Sequence, residues 1–415
     1  MAKIRIVDVT NRDGEQTARV VLSKLQKTII NVMLDEMGIY GSEVGFPLNP
    51  HEWNYLNANV ELTRIENNDG VPAIRDLRLE GWSRAVASDV EQALAKTGLT
   101  HLNLSISTSQ QMLEWKFRGK FSKDDIIQMM VDAVRAALEG GCVSVGINAE
   151  DASRTDMEFL KDFGRAGKEA GAQILRYCDT LGYDDPCTIA ERMGELAREV
   201  QMPLETHCHN DLGLAVANSV AGAVAACDEG QDAYINTTVN GVGERAGNAD
   251  LVSVILALRY SSGLAEKGYL DERVDTTKSY KIARYVANSF GLPIPINQPG
   301  VGANAFAHES GIHADGALKD RHNYELYAFE DLGRGHDEIA KTGREILTGQ
   351  HGGTSGLEYV YSHIDLAFRD GEHAREILKL VQFANLANQQ PLTEEELRFI
   401  YHYPEVARKL LTYTP

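Results

Sequence analysis

Short alternating or continuous apolar runs recur along residues 1–265, and stretches with apolar residues at helical spacing fill the intervals. The strand candidates are IRIVD (4–8), SEVGF (42–46), IRDLRLEGW (74–82), HLNLSIST (101–108), VSVGIN (143–148), QILRYCDT (173–180), PLETHCH (203–209) and AYINTTVNG (233–241). Between them KDDIIQMMVDAVRAALEGG, AERMGELAREV and GLAVANSVAGAVAACDEG read as amphipathic helices, the first closed by glycine where a helix should end. Eight strands alternating with helices predict an α/β fold, a (β/α)8 TIM barrel. A doubly wound open sheet is the competing arrangement, and the count of eight favours closure.

The rhythm breaks after residue 265. Residues 266–353 read as a linker and subdomain, with a helical stretch, a proline-rich connection and the polar run AFAHESGIHADGALKDRH. Residues 354–415, with LTEEELRFIYHYPEVARKLL, predict a helical C-terminal region. No tandem repeat beyond the β/α rhythm stands out.

Composition narrows the partners. The 415 residues carry a formal net charge of -19, which argues against nucleic acid and anionic membrane but leaves room for an anionic substrate in a locally positive cleft. No apolar stretch is long enough to span a membrane, and MAKIRIVDVT lacks the apolar run of a signal peptide. The five cysteines are odd in number and form no C-x-x-C pair, so they read as reduced thiols of a cytoplasmic protein.

Polar residues gather at the strand ends that would form one mouth of the barrel: TNRDGEQT after the first strand, STSQQ after the fourth, NAEDASRTD after the fifth, CDTLG, HCHND and NGVGERAGN after the last three. In a strand His207 and His209 share a face. Alone they are as readily two hydrogen-bonded strand histidines. With Asp13 opening onto the same mouth they form a set suited to a divalent ion, and Asn248 is a candidate partner of that set. Arg12 is either a surface ion-pair partner or an electrophilic contact to a carbonyl oxygen gaining charge. Arg154 either anchors a substrate carboxylate or neutralises Glu150, Asp151 and Asp156. The glycines of GVGERAGN are a weak anion-binding signal outside any strand–turn–helix start.

RDGEQ at 12–16, HCHND at 207–211, GERAGN at 243–248 and AHESGIHADG at 307–316, in that order, resemble the DRE-TIM metallolyase superfamily. Within it they look like its acetyl-CoA-dependent condensing branch: the 2-isopropylmalate, homocitrate, citramalate and Re-citrate synthases. The resemblance implies a Claisen condensation of acetyl-CoA with a 2-oxo acid, giving a hydroxy di- or tricarboxylate and CoA. It implies Asp13, His207 and His209 as ligands of a divalent metal (Mn2+, Mg2+, Co2+ or Zn2+), with Asn248 as a neighbour or weak ligand. Arg12 matches the arginine that polarises the keto group, while Gln16, Arg154 and Thr180 fall at substrate-contacting positions. Glu150, His313 and Tyr324 resemble the acid/base group that removes the methyl proton. In that branch the histidine comes from the partner subunit, which implies a homodimer.

Departures bear on the acceptor. Val9-Thr10-Asn11 replaces the usual threonine–leucine before the arginine, Met112 stands where isopropylmalate and homocitrate synthases carry a histidine, and the region of Glu80 lacks another histidine of homocitrate synthases. EVGFP at 43–47 is closer to the isopropylmalate branch, yet the 415 residues are not expected to leave room for the long C-terminal regulatory domain of leucine-inhibited isopropylmalate synthases. The VTNRDG start resembles the Re-citrate synthases and makes oxaloacetate, giving citrate, the first expectation. The alternatives are 2-oxoglutarate and 3-methyl-2-oxobutanoate. A lyase of the same superfamily would not need the GIHADG segment, and a catalytically silent binding protein would have lost a ligand or the base.

Overall fold

The computed structural model describes residues 2–66, 71–307, 311–335 and 354–412. Eight parallel strands close into a barrel in sequence order, with the first paired to the last. They are β1 (Ile4–Asp8), β2 (Gly41–Gly45), β3 (Arg78–Arg84), β4 (His101–Ser107), β5 (Ser144–Glu150), β6 (Ile174–Asp179), β7 (Leu204–Cys208) and β8 (Ala233–Thr237). All eight coincide with the strand candidates, and the open sheet is ruled out. The five cysteines are free.

The late start of the third strand has a local cause. The third strand was expected from residue 74 and begins at Arg78, because Asp35 Oδ1 accepts from the N–H groups of Arg75, Asp76 and Leu77 at 3.0, 2.8 and 2.7 Å. Those donors are committed to a turn and are unavailable to a neighbouring strand. At the last strand the ladder stops at Thr237, and Val239–Gly241 turns over the mouth as a short 3-10 segment with Asn240 at φ 61°.

The helices start and stop where side chains satisfy their free ends. Ser122 opens Lys123–Glu139 with a reciprocal capping box closed by Asp125, and Asp185 accepts from two N–H groups at the start of Pro186–Val200. The outward-facing strand residues pack under these helices, so the main apolar core is a shell around the barrel. The interior differs. Val7, Ile174 and Tyr234, with Tyr40, close one end, and above them the inward positions of β2, β3, β4, β6, β7 and β8 carry Glu43, Glu80, Asn103, Arg176, Glu205 and Asn236, all buried. Asn103 donates to Glu43 (3.0 Å) and Glu80 (2.7 Å), and Arg78 donates to Glu80 at 2.7 Å.

Beyond the barrel, Leu270 forms a bridge beside Ile4, and the helix Ser279–Phe290 packs against Lys24–Glu36 and against the turn after β8. The C-terminal helices Gly371–Asn388, Glu394–His402 and Pro404–Leu411 form the helical extension. They dock on Lys24–Glu36 and Pro50–Leu62, where Lys409 pairs with Glu61 and Ser23 Oγ donates to Asn388 at 2.5 Å. Residues 308–310 of the AHESGIHADG motif, and 336–353 at the end of the expected subdomain, lie outside the described residues. Among the described residues no helix is long and apolar enough to cross a membrane.

Arg176 is 1% exposed and pairs with both Glu43 (2.8 Å) and Glu205 (3.0 Å). Replacing it by leucine strands two carboxylates in the interior, and removing one partner of a buried pair costs about 3–5 kcal/mol. R176L is therefore expected to lower the thermal unfolding midpoint by several degrees, whereas R165L, at an exposed pair, should leave it unchanged.

Candidate metal centre

After β1 the chain folds back at once. The N–H groups of Arg12, Asp13 and Gly14 all point at the Val9 carbonyl, at 3.1, 2.9 and 3.0 Å, while Asp8 accepts from Thr10 N–H at 2.9 Å. This tight turn swings Arg12 and Asp13 across the mouth. From β7 the period of two aims His207 and His209 at the same place. His207 Nε2 lies 2.8 Å from Asp13 Oδ2 and His209 Nε2 lies 3.7 Å from it, with the two rings edge to face at 5.1 Å. Asn248 Nδ2 approaches Asp13 Oδ2 at 3.3 Å. All four side chains are buried.

The glycines of GVGERAGN are explained by packing. A Cβ on Gly243 (φ 150°) would sit 1.9 Å from Asn248 Oδ1, and one on Gly247 (φ 91°) would sit 1.9 Å from the Gly241 carbonyl. Glycine there lets the last loop lie against the mouth and deliver Asn248.

The electrostatics suit an ion. Burial alone would push the Asp13 carboxyl up, but the adjacent Arg12 guanidinium and His207 outweigh it and hold the group well below the usual carboxylate range. Burial, then the charge of His207, brings the His209 imidazole down to about 4, so it is neutral with a lone pair to offer at pH 7. Three buried atoms in the cluster, Asp13 Oδ1, His209 Nδ1 and Asn248 Oδ1, have no hydrogen-bond partner. Donor atoms of Asp13, His207 and His209 lie within 4.8 Å of one another, the one such group among the described residues. Two imidazoles, a carboxylate and an amide oxygen left unpaired fit a divalent Mn2+, Mg2+, Co2+ or Zn2+.

Four residues that the sequence reading did not assign hold this cluster. Arg12 Nε donates to Glu43, Arg176 joins Glu43 to Glu205, Asn236 Nδ2 donates to Glu205 at 2.5 Å, and Asn236 Oδ1 meets His207 Nδ1 at 3.0 Å. With Asp13 beside both Arg12 and His207, the seven side chains close a ring. Burial opposes the charge on Glu43, yet Arg12 and Arg176 bring its carboxyl down to about 2. The available signal was a charged residue at an inward position of an otherwise buried strand, as in SEVGF and ILRYCD.

The other expected residues fall around the same mouth, mostly with protein partners. Glu150 ends β5, accepts from Ser107 Oγ at 2.5 Å and pairs with Lys116 at 2.7 Å. Asn148, one inward position below Glu150, has both amide atoms buried without a partner. Arg154 is held side-on by Asp151, whose N–H donates to Thr180 Oγ1 at 2.9 Å. Gln16 is exposed and lines, with Arg12, Phe46 and Trp82, a cavity of about 190 Å³. Met112 N–H donates to Ser109 Oγ in the first turn of Gln110–Trp115. His313 lies in the helix Gly311–Lys319 and stacks on Tyr324 with ring centres 4.2 Å apart. His313 is exposed.

The HMGL-like family model matches residues 3–286, the barrel and the helix that follows it. The chain belongs to the HMGL-like family. A second model, the homocitrate synthase post-HMGL domain-like family, matches residues 301–390. A citrate (Re)-synthase of Dehalococcoides mccartyi is 56% identical over 100% of this chain and 99% of its own length. 2-Isopropylmalate synthase 2 of Caldanaerobacter subterraneus is 38% identical over 96% of this chain and 95% of its own. Homocitrate synthase 1 of a Nostoc species is 34% identical over 96% of each chain. Among solved structures, the hydroxymethylglutaryl-CoA lyase of Pseudomonas aeruginosa superposes with a TM-score of 0.56 at 18% identity, over 70% of this chain and 94% of that one. At that identity the match speaks for the barrel fold alone.

D13N and H207A are each expected to abolish Mn2+ binding in an electron paramagnetic resonance titration that the parent protein saturates at one ion per chain. Retained stoichiometric binding in both variants would remove the cluster from this role.

Proposed function

We propose that the protein is an acyltransferase that condenses acetyl-CoA with oxaloacetate to give citrate and CoA, in a reaction that depends on a divalent metal. The observation that carries this reading is the 56% identity, over the whole of both chains, to a protein named citrate (Re)-synthase. The Asp13–His207–His209 cluster at the barrel mouth supports it chemically. The 2-isopropylmalate and homocitrate synthases among the relatives keep 3-methyl-2-oxobutanoate and 2-oxoglutarate as the acceptors to be tested against oxaloacetate.

Each step has a candidate group. Asp13, His207 and His209 would hold the ion, with Asn248 beside them, and a bound ion would supply Lewis acidity to the 2-oxo acid. Arg12, fixed by Glu43, faces the keto oxygen and steadies its developing charge. Arg154, Thr180 and Gln16 contact the substrates. The thioester methyl is a weak carbon acid, so a placed base must take its proton. His313, paired with Tyr324, is that base, supported by Glu150. The methyl carbon then bonds to the keto carbon, the keto oxygen becomes a hydroxyl, and water cleaves the thioester to free CoA. The exposure of the His313–Tyr324 pair accords with its delivery to the mouth of a partner subunit, in a homodimer.

Thiol release from acetyl-CoA should require a 2-oxo acid, stop on chelation and be fastest with oxaloacetate among the three acceptors. A preference for 3-methyl-2-oxobutanoate would overturn the citrate assignment, and turnover untouched by chelator would sink the metal chemistry. H313A is expected to lose about 10²–10⁴-fold in kcat while binding Mn2+ as the parent does.

A further inference from the structure

The two histidines of the cluster are not equivalent. His209 Nδ1 is buried and has no hydrogen-bond partner, whereas His207 Nδ1 meets Asn236 Oδ1 at 3.0 Å. What turns that oxygen toward His207 lies one residue further out. Glu205 accepts from Arg176 Nε at 3.0 Å and Nη2 at 3.3 Å, and from Asn236 Nδ2 at 2.5 Å. An amide whose NH2 is committed to a carboxylate must present its carbonyl on the opposite side. A carbonyl only accepts, so Nδ1 of His207 carries a proton, and Nε2 is the nitrogen turned to Asp13, 2.8 Å away. Arg176, Glu205 and Asn236 are each 1% exposed, and His207 is 5% exposed, so these contacts are made in the interior.

We propose that Asn236, oriented by Glu205, is a positioning residue that keeps the His207 proton on Nδ1 and thereby reserves Nε2 for the ion. The proposal rests on the reading of Asp13, His207 and His209 as the metal centre. It gives the buried Arg176–Glu205 pair a task besides stability: the pair sets which way an amide points, and the amide sets which nitrogen of one histidine is a ligand. It also links the two electrophilic elements of the mouth, because Arg176 bridges the Glu43 that holds Arg12 and the Glu205 that holds Asn236.

Mn2+ affinity of the full chain, read as free Mn2+ by electron paramagnetic resonance, tests this without reference to turnover. N236L removes the acceptor at similar size and is expected to weaken Mn2+ about 10–100-fold. N236D keeps an oxygen facing Nδ1, and its second oxygen shares one proton with Glu205, so its affinity should stay within about three-fold of the parent. E205Q is the sharper variant. Its carbonyl takes the Arg176 donors, its NH2 faces Asn236, the Asn236 amide turns over, and its NH2 drives the His207 proton to Nε2. Affinity should then fall about ten-fold with little change in side-chain volume. N236L within two-fold of the parent, or N236D as weak as N236L, overturns the proposal. If N236L does not fold, the other pair decides: equal affinity of N236D and E205Q overturns it, and a weaker E205Q upholds it. A parent protein that binds no Mn2+ overturns the metal-centre reading and this inference with it.

Discussion

Charge buried in the barrel is the constraint on which the rest of the molecule depends. Glu43, Glu205 and Asp13 are within 2% of complete burial. Isolated, each would ionise only at a cost of several kcal/mol. They persist because Arg12 and Arg176 alternate with them, and because Asn236 and His207 close the remaining gap into a ring. In so low a dielectric each link strengthens its neighbours, and a missing link leaves a charge unpaired. The interior of this barrel is therefore a polar scaffold, packed around by an apolar shell.

That scaffold explains why the cluster sits where it does. The ring draws on β2, β6, β7, β8 and the turn after β1, so closure of the sheet is a precondition for it. The register of β7 against β6, with Thr206 beside Tyr177 and His207 beside Cys178, puts His207 on the inner face next to Arg176 and Glu205. A slip of one residue would send both histidines into the outer shell. Below the ring, Val7, Ile174 and Tyr234 pack together as an apolar layer with Tyr40 against it. The turn glycines, the Asp8 bond to Thr10 and the inward-facing Asn248 are details of the same requirement: four loops must approach one another closely without a side chain between them.

Much of this was legible in the chain. The eight strands were readable from periodicity because a half-buried strand shows its period of two and a helix its period of 3.6, and their order around the barrel is the order in sequence. The histidine pair was readable for the same reason. The start of β3 was misplaced because IRDL looks extended, and nothing local says that Asp35, forty residues away, takes its N–H groups. Nothing local marks Glu43, Arg176 or Asn236, because the partner of each lies in another strand. Arg154 pairs with Asp151, one of the two readings its sequence context allows, whereas the tie of Glu150 to Lys116 has no sequence signature.

The sequence by itself determined the barrel, the family motifs and the chemical kinds of group at its mouth, because these follow from short-range periodicity and from residue type. Only the tertiary structure decided which of those groups meet. Asp13 reaches His207 across almost two hundred residues, and Glu205 sets an amide that sets an imidazole, because closing the sheet brings β1, β2, β6, β7 and β8 to one axis. Contacts of that kind are made by strand register and loop closure, and neither is encoded within the reach of any single motif.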